Sequence, residues 1–283
     1  MVRLADGRVV AESLHNMTAA RRQAAIPPRG TRRPAAHVAG AAVLLARAGS
    51  GNYGHWLVEH LGALLLLRQA LPALLPQLVV QDRRDSAMWR VYEDGARLAG
   101  VDPVMLRPVG GRPVEVAELL LPGPASAHPY MKHPAVMARL AALAPRRAAT
   151  EMLFLRRSNT SKRVLRNADA VQAAAEQLGF RVVEPGRMSF AEQVEAFSAA
   201  RVVAGVSGAE LTNIAFMPRG GEVVCLLPAV GRNLFFWDIC CLRGHGYWSL
   251  FGRPLTGRGG GHDDFDVDVP LAVEVMRRAV SGS

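Results

Sequence analysis

The sequence is poor in lysine and has no long unbroken hydrophobic run. Lys132 and Lys162 are its lysines; the other members of its 34 basic residues are arginines, and the formal net charge is +10. Such a skew is typical of a GC-rich genome rather than of a nucleic-acid surface. No RNA-module signature and no basic helix with interleaved aromatics accompanies the charge. We therefore expect no nucleic-acid partner.

Cysteine is also scarce. Cys225, Cys240 and Cys241 lack metal-site spacing, and two are neighbours, which favours a reducing compartment over a disulfide framework. The N-terminus lacks the apolar stretch of a signal peptide. The most apolar run, residues 61–80, is interrupted by Arg68 and by two prolines, so it is shorter than the roughly 20 residues that a membrane span needs. We expect a cytoplasmic protein, with peripheral contact at the inner membrane face through its arginines.

The order of the predicted elements indicates two α/β domains. Strand-length hydrophobic runs alternate with amphipathic segments over residues 41–123 and again over 151–227. This alternation predicts mostly parallel sheets. A segment rich in Pro, Ala and His separates the two series and marks a boundary. We assign residues 1–130 to an N-terminal domain, with an irregular arm or a partial strand layer over 1–40, and residues 131–283 to a C-terminal domain.

The first stretch that suggests chemistry is "GNYGHWLVEH", residues 51–60. His55 and Glu59 are four residues apart and share a helix face. His55 and His60 are five apart, which directs them about 140° from each other and does not suit the zinc-binding helix of inverted zinc proteases. Two interpretations remain: a Glu–His pair that points into a cleft, or a helix-start histidine beside a solvated glutamate.

The second stretch is "LFLRRSNTSKRVLRN", residues 153–167, in which a strand leads into a basic turn and then into a helix capped by Asn167. Arginine binds phosphate oxygens bidentately, and a loop after a parallel strand lies at the ligand-binding edge of the sheet. Arg156 follows the strand directly, so we expect the strand to position it for an anionic ligand. The alternative is a solvated basic loop.

The third stretch is "RVVAGVSGAELTNIAFMP", residues 201–218, which predicts a strand, a tight turn and a helix. Gly205 and Gly208 would let a ligand approach the backbone closely. The amides at the start of the following helix would suit an anion. The turn is therefore a candidate phosphate site.

The same turn has a second interpretation, as the nucleophile elbow of a serine hydrolase. Ser207 would be the nucleophile, with Asp238 and His245 as its partners, but the pattern G-x-S-x-G requires glycine where Ala209 stands. A dinucleotide-binding oxidoreductase is disfavoured because no predicted strand is followed by G-x-G-x-x-G.

Taken together and in this order, the three stretches resemble glycosyltransferase family 61 over about residues 50–230. The similarity lies in "NYGHWLVE", in "FLRRSNTSKRVLRN" with Arg156, Arg163 and Asn167, and in "RVVEPGRMSFAEQVEAFSAARVVAGVSGAELTNIAFM". The resemblance implies a GT-B-like α/β fold, with two Rossmann-like doubly wound domains facing a cleft. It also implies inverting transfer of a hexosyl or pentosyl group, without metal or other cofactor, from a UDP-linked sugar. The acceptor would be a glycan or lipid-linked saccharide in bacterial polysaccharide or capsule biosynthesis.

The resemblance also implies roles for individual residues. Glu59 would be the catalytic base in the acceptor-side N-terminal domain, with His55 beside it. In the C-terminal domain, Arg156 and Arg163 would bind the donor diphosphate, and Glu184 would bind the nucleoside. The remaining donor-binding positions would be those of the glycine turn: Ser207, Gly208, Ala209, Thr212 and Asn213.

Two positions depart from the family pattern G-x-H-G-A-G-L-x-N. Ser207 stands for the histidine, and Glu210 stands for the last glycine. A serine can still donate to a phosphate, whereas a carboxylate facing the same pocket would repel a diphosphate. Glu210 therefore faces away, or changes the choice of donor, or weakens nucleotide binding. A separate alternative for the whole chain is a catalytically silent nucleotide- or glycan-binding module.

Overall fold

The structure is a computed structural model. It describes residues 1–5, 8–14 (with the backbone alone at 12 and 14), 34, 36–74, 76–127, 131–157, 161–230, 234–257, 259 and 261–282. The chain divides into two compact units, Met1–His128 and Pro129–Ser283. The division falls within the Pro-, Ala- and His-rich segment that we assigned to the boundary.

The first unit is built on a parallel sheet. The strands of the first unit are β1 (Val2–Arg3), β2 (Val9–Val10), β3 (Ala36–Leu44), β4 (Gln77–Gln81), β5 (Leu106–Val109), β6 (Val114–Leu120) and β7 (Ser126–Ala127), and the parallel sheet consists of β3 to β6. The spatial order is β5-β4-β3-β6, and every neighbouring pair in it is parallel. β1 and β2 form a separate antiparallel pair. The centre of the sheet is apolar because the central strands of a parallel sheet are covered on both faces: Val43, Leu78 and Val80 are buried.

Two helices connect these strands. Helix α1 consists of α-helical Tyr53–His55, a π-helical stretch Trp56–Leu61 and α-helical Gly62–Ala70. Helix α2 spans Ala87–Leu98, and a 3-10 turn at Pro103–Met105 precedes β5. Tyr92 of α2 packs on Trp56 of α1, with ring centroids 4.4 Å apart, and its hydroxyl donates to the carbonyl oxygen of Ser50 at 2.9 Å. This contact anchors the loop that leads into α1.

The second unit contains a larger sheet. The strands of the second unit are β8 (Met131–Lys132), β9 (Glu151–Leu155), β10 (Arg181–Val183), β11 (Ala200–Val206), β12 (Glu222–Pro228), β13 (Gly246–Pro254) and β14 (Phe265–Asp266), and all but β8 belong to this sheet. The order is β10-β9-β11-β12-β13-β14, parallel throughout except for the antiparallel edge strand β14. Its core includes Phe154, Val202, Leu226 and Phe265. Both units have the Rossmann-like α/β construction that the alternation of elements predicted.

The helices of the second unit are α3 (Pro134–Ala141), α4 (Ala168–Gln177), α5 (Phe190–Phe197), α6 (Phe235–Arg243) and α7 (Val269–Ser281). Ser189 caps α5 as expected, through a capping box with Glu192. Asn167 stands at the start of α4 but makes no capping bond there. Its side chain instead bonds the backbone of Val267, donating to the carbonyl at 2.7 Å and accepting from the amide at 3.3 Å.

The structure differs from the sequence predictions in three places. The arm assigned to residues 1–40 contains the β1–β2 pair and the first half of β3, in which residues 36–38 pair with β6. Residues 15–33 and 35 of that arm lie outside the described residues. The helix expected after Ser207 is a 3-10 helix, Ala209–Phe216, rather than an α-helix. The elements after residue 234, among them α6, β13 and α7, were not predicted.

Candidate active site

Glu59 lies in the π-helical stretch of α1. The helix begins after Asn52, whose side chain accepts hydrogen bonds from the amides of Gly54 and His55 at 3.0 and 3.3 Å. π-helical turns are rare and are found mostly at functional positions. Glu59 is only 4% exposed, and its Oε1 lies 2.7 Å from His55 Nδ1. The structure therefore brings the predicted pair together and excludes the alternative of a solvated glutamate.

The loop after β3, residues 45–52, packs against this pair. Arg47 is buried and donates from Nη1 to the carbonyl of Pro122 at 2.7 Å. Burial lowers the pKa of Arg47, and the charge of Glu59 raises it in opposition, so the two charges act on each other. Gly49 has a φ of +88°, and a Cβ there would lie 3.0 Å from His55 Cγ. Glycine at this position lets the imidazole pack directly on the loop.

His60, the next residue along α1, is held uncharged. It is buried and stacked on Trp56, with ring centroids 5.9 Å apart. Burial, with smaller contributions from the charges of Arg47 and His55, lowers the pKa of His60 to about 4, against raising contributions from Glu59 and from a hydrogen bond with the backbone of Ala48. At neutral pH the permanent positive charge near Glu59 is therefore that of Arg47.

In the second unit, the glycine turn follows β11. Ser207 is buried, and its amide donates to the carbonyl of Leu226 at 2.8 Å, which extends the sheet by one bond. A Cβ at Gly205 would lie 2.8 Å from Leu155 Cβ, so this glycine serves the packing of β11 on β9. A Cβ at Gly208 would lie 2.8 Å from the Nε of Arg157. Gly208 thus makes room for the guanidinium group of Arg157 beside the turn.

An arginine cluster of Arg157 and Arg163 lies at this turn, together with Glu210. Arg157 Nε is 3.7 Å from Glu210 Oε2, and its Nη1 donates to the carbonyl of Lys162 at 3.3 Å. Burial lowers the pKa of both arginines; the charge of Arg157 lowers that of Arg163 further, and Glu210 opposes both shifts. The Nε of Arg163 is buried and has no hydrogen-bond partner among the described residues. The second unit therefore concentrates partly buried positive charge at the edge where the strands end.

The arginine nearest to the glycine turn is Arg157 rather than the predicted Arg156. Arg156 Nη1 donates to Asp169 Oδ1 at 2.7 Å and to Gln172 Oε1 at 3.0 Å, both on α4. Successive residues at a strand end point to opposite faces of the sheet, so the two neighbours meet different surroundings. The sequence signal for Arg157 was the same double arginine, and only the register of β9 separates the two.

The other predicted donor-binding residues are placed in different ways. Thr212 and Asn213 are fully buried in the 3-10 helix that Ala209 begins, and Asn213 donates to Gln193 Oε1 at 2.7 Å. Their assignment to the donor stays a prediction. Glu184 follows β10 and is partly exposed, with its carboxylate 3.3 Å from Arg187 Nε. Its assignment to the nucleoside stays a prediction.

The residues of the hydrolase interpretation do not assemble. His245 Nδ1 accepts from the amide of Gly221 at 3.2 Å, and its Nε2 lies 3.2 Å from the carbonyl oxygen of Ile214. Asp238 accepts from the amide and Nζ of Lys132, at 2.9 and 3.2 Å. Both ring nitrogens of His245 are therefore occupied by backbone groups, and the imidazole is not available to activate Ser207.

The Ser207 side chain instead lies near the thiol of Cys225 on the adjacent strand β12, and so does the side chain of Tyr247 on β13. Burial raises the pKa of Cys225 to about 11, against the lowering effects of Tyr247, Ser207 and Arg163. Burial also raises the pKa of Tyr247. This layer beneath the arginine cluster is uncharged at neutral pH and does not offset the charge of the arginines.

A C-terminal segment that sequence reasoning missed holds the basic turn. Asp264 is buried, its Oδ1 accepts from the amide of Val164 at 3.1 Å, and its Oδ2 accepts from Arg166 Nη2 at 2.7 Å. The amide of Arg163 donates to the carbonyl of His262 at 3.3 Å, and Arg163 has a φ of +55°. The available signal was the adjacent pair Asp263 and Asp264 after a glycine-rich run, in a region with no predicted element.

Within the described residues, no group of three or more His, Cys, Asp and Glu side chains is arranged to hold a metal ion. None of the helices described above is long and apolar enough to cross a membrane.

The first Rossmann-like unit contains a buried carboxylate–histidine pair, and the second contains the arginine cluster. The sequence profile of the family Glycosyltransferase 61 matches residues 53–224, which is more than half of the chain. The matched range contains both Glu59 and the arginine cluster. The chain belongs to glycosyltransferase family 61, and it is a glycosyltransferase.

Solved structures give weaker similarities. E. coli heptosyltransferase WaaC with ADP-2-deoxy-2-fluoro heptose aligns over 87% of this chain and 99% of its own, at 10% identity and a TM-score of 0.40. The bacterial iron-containing dodecameric glycosyltransferase TibC from enterotoxigenic E. coli H10407 aligns over 70% and 59%, at 12% identity and a TM-score of 0.33. These scores are too low to transfer a ligand or a site to this chain. The comparison with curated protein sequences found no match.

Proposed function

We propose that the enzyme transfers a hexosyl or pentosyl group, with inversion and without a metal, from a UDP-linked sugar to a glycan or lipid-linked saccharide. Bacterial polysaccharide biosynthesis is the setting that suits such a reaction. The observation that carries the proposal is the buried Glu59, paired with His55 in a π-helical turn inside the range that matches the family.

Glu59 acts as the general base in this reaction. It takes the proton of the acceptor hydroxyl while that oxygen forms a bond to the anomeric carbon of the donor sugar. The bond from the anomeric carbon to the phosphate oxygen breaks, and its electron pair leaves with the diphosphate. The His55 contact of 2.7 Å orients the carboxylate, and the charge of Arg47 favours its ionised form.

The departing diphosphate needs positive charge that is already in place, since preorganised charge in a water-poor site is the largest contribution in many enzymes. Arg157 and Arg163 supply it. Both are partly buried, so their guanidinium groups would gain more from a phosphate than exposed arginines would. Two arginines at one diphosphate make a divalent metal dispensable.

Donor binding is tested by isothermal titration of the whole protein with UDP, GDP and CDP. We expect UDP to bind, and we expect Arg157→Ala and Arg163→Ala to weaken UDP binding about tenfold or more while uridine binding changes little. Arg156→Ala is the matched control, because the Arg156 side chain bonds α4 instead of reaching the turn. No measurable binding of any of the three nucleotides to the folded protein would refute the proposal.

The base is tested with Glu59→Gln, which keeps the size of the side chain and removes its charge. Turnover of UDP-sugar should fall by about two to four orders of magnitude with donor affinity nearly unchanged. Glu118→Gln, at an exposed position of β6, is the control. Turnover that hardly changes in Glu59→Gln would exclude Glu59 as the base. Nucleotide binding without turnover in either protein would identify a binding module instead of an active transferase.

A further inference from the structure

Glu210 faces the arginine cluster. Its Oε2 lies 3.7 Å from Arg157 Nε, and its charge acts on both arginines. The Glu210 side chain is 23% exposed and that of Arg157 is 13% exposed, so solvent weakens this attraction only in part. A Cβ placed on Gly208 would meet both side chains, at 2.8 Å from Arg157 Nε and 3.0 Å from Glu210 Oε2. The pair therefore stands directly over the glycine turn.

The carboxylate changes the charge that a ligand meets. Arg157 and Arg163 contribute two positive charges, and Glu210 cancels one of them. The diphosphate of a nucleotide sugar carries two negative charges. With Glu210 in place, the net charge of +1 from these three side chains would neutralise only one of them. A like charge held against a bound anion costs several kcal/mol in a desolvated site and less where water has access.

We propose that Glu210 pairs with Arg157 in the unliganded enzyme, and that the donor diphosphate replaces Glu210 as the partner of Arg157 when it binds. Glu210 thereby sets how tightly diphosphates bind. This inference rests on the proposed donor site. Glu210 is suited to the exchange because it is the second residue of the 3-10 helix Ala209–Phe216, with its side chain partly in water while the helix body is buried. Its side chain can leave Arg157 without disturbing the core.

The exchange has a consequence for turnover. The nucleoside diphosphate product carries at least as much negative charge as the donor, and a site with two unopposed arginines would retain it. A carboxylate that returns to Arg157 competes with the product and promotes its release. Glu210 thus lowers the affinity for the donor and raises the rate of product release.

The test measures the dissociation constants of inorganic pyrophosphate and of UDP for the whole protein and for Glu210→Gln. The variant keeps the side-chain length and removes the charge, so pyrophosphate and UDP should each bind roughly tenfold tighter. The difference should shrink as salt is raised, because salt screens the partly exposed charges. Glu195→Gln, which removes an exposed carboxylate paired with Arg147, is the matched control and should leave both constants unchanged.

A double-mutant cycle shows whether Glu210 acts through Arg157. In the Arg157→Ala background, Glu210→Gln should tighten pyrophosphate binding by much less than tenfold, because the two residues interact. Circular dichroism of each variant establishes that it is folded, and Glu210→Ala provides a second substitution if Glu210→Gln is not.

Each outcome decides a question. Tighter pyrophosphate binding in Glu210→Gln without any nucleotide binding would support the role of Glu210 and refute the nucleotide-sugar donor. UDP binding that Glu210→Gln leaves unchanged or weakens would overturn the role of Glu210 and leave the donor proposal standing. No binding of either anion to any folded variant would refute both.

Discussion

His245 should make the second unit sensitive to acid. Its Nδ1 accepts the amide proton of Gly221, and its Nε2 bonds the carbonyl of Ile214. A proton on Nδ1 would place two donors against each other in the core. Burial, with smaller contributions from the charges of Arg243 and Arg219, lowers the pKa of His245 to about 4 from an ordinary value of 6.5, against the raising effect of the bond to Ile214.

The direction in which pH changes the stability follows from proton uptake. Between pH 6.5 and 4 the unfolded chain binds a proton at residue 245 that the folded chain does not, so the free energy of unfolding rises with pH. Above pH 6.5 the neutral His245 causes no loss of stability, and the free energy of unfolding decreases as the pH falls from 6.5 to 4. At pH 5 the loss relative to pH 8 is about 2 kcal/mol for these two pKa values. His60, with a pKa also near 4, contributes with the same sign in the first unit.

Urea unfolding of the wild type and of His245→Gln, at pH 8 and at pH 5, measures the effect. The drop in unfolding free energy between the two pH values should be smaller in the variant by about 2 kcal/mol, whatever the variant loses in absolute stability. In the folded wild type, the ring proton signal that disappears in His245→Gln should not shift between pH 8 and pH 5. Equal pH dependence in the two proteins, or a shift of that signal near pH 6.5, would refute the reasoning.

Substitutions at three further positions test the surroundings of the site. Gly49→Ala should lower stability by about 1–2 kcal/mol in thermal unfolding, because its φ is left-handed and the new Cβ meets the His55 ring; an unchanged melting temperature would contradict this. Gly205→Ala should cost about 1–3 kcal/mol in urea unfolding, since its Cβ overlaps strand β9. Arg47→Met should move the acid limb of the pH–rate profile to higher pH by removing the positive charge near Glu59, and Arg47→Lys should restore it in part; a loss of rate without a shift would show that Arg47 is only structural.

Sequence patterns predicted much of the fold because they depend on local periodicity. The alternation of strands and helices over residues 41–227 recovered the two parallel sheets. Strand β13 and helix α6 escaped because β13 is half exposed and α6 is apolar around most of its circumference, so neither shows a clear period. This reason does not apply to α7, whose buried Ala272, Met276 and Ala279 recur at helical spacing. The 3-10 geometry of Ala209–Phe216 escaped for a related reason, since both helix types share nearly the same residue preferences.

The candidate site divides in the same way. The spacing of His55 and Glu59 is a local property, so the sequence by itself determined that the two side chains can meet, and the ordered motifs determined the family. Tertiary structure decided that Glu59 is buried and that Arg157, rather than Arg156, reaches the glycine turn, because strand register and packing set which face a side chain occupies. It also decided that Glu210 faces Arg157 and that Asp264, about 100 residues along the chain, holds the basic turn. Contacts of this kind depend on which strands become neighbours, and no local pattern of residues encodes that.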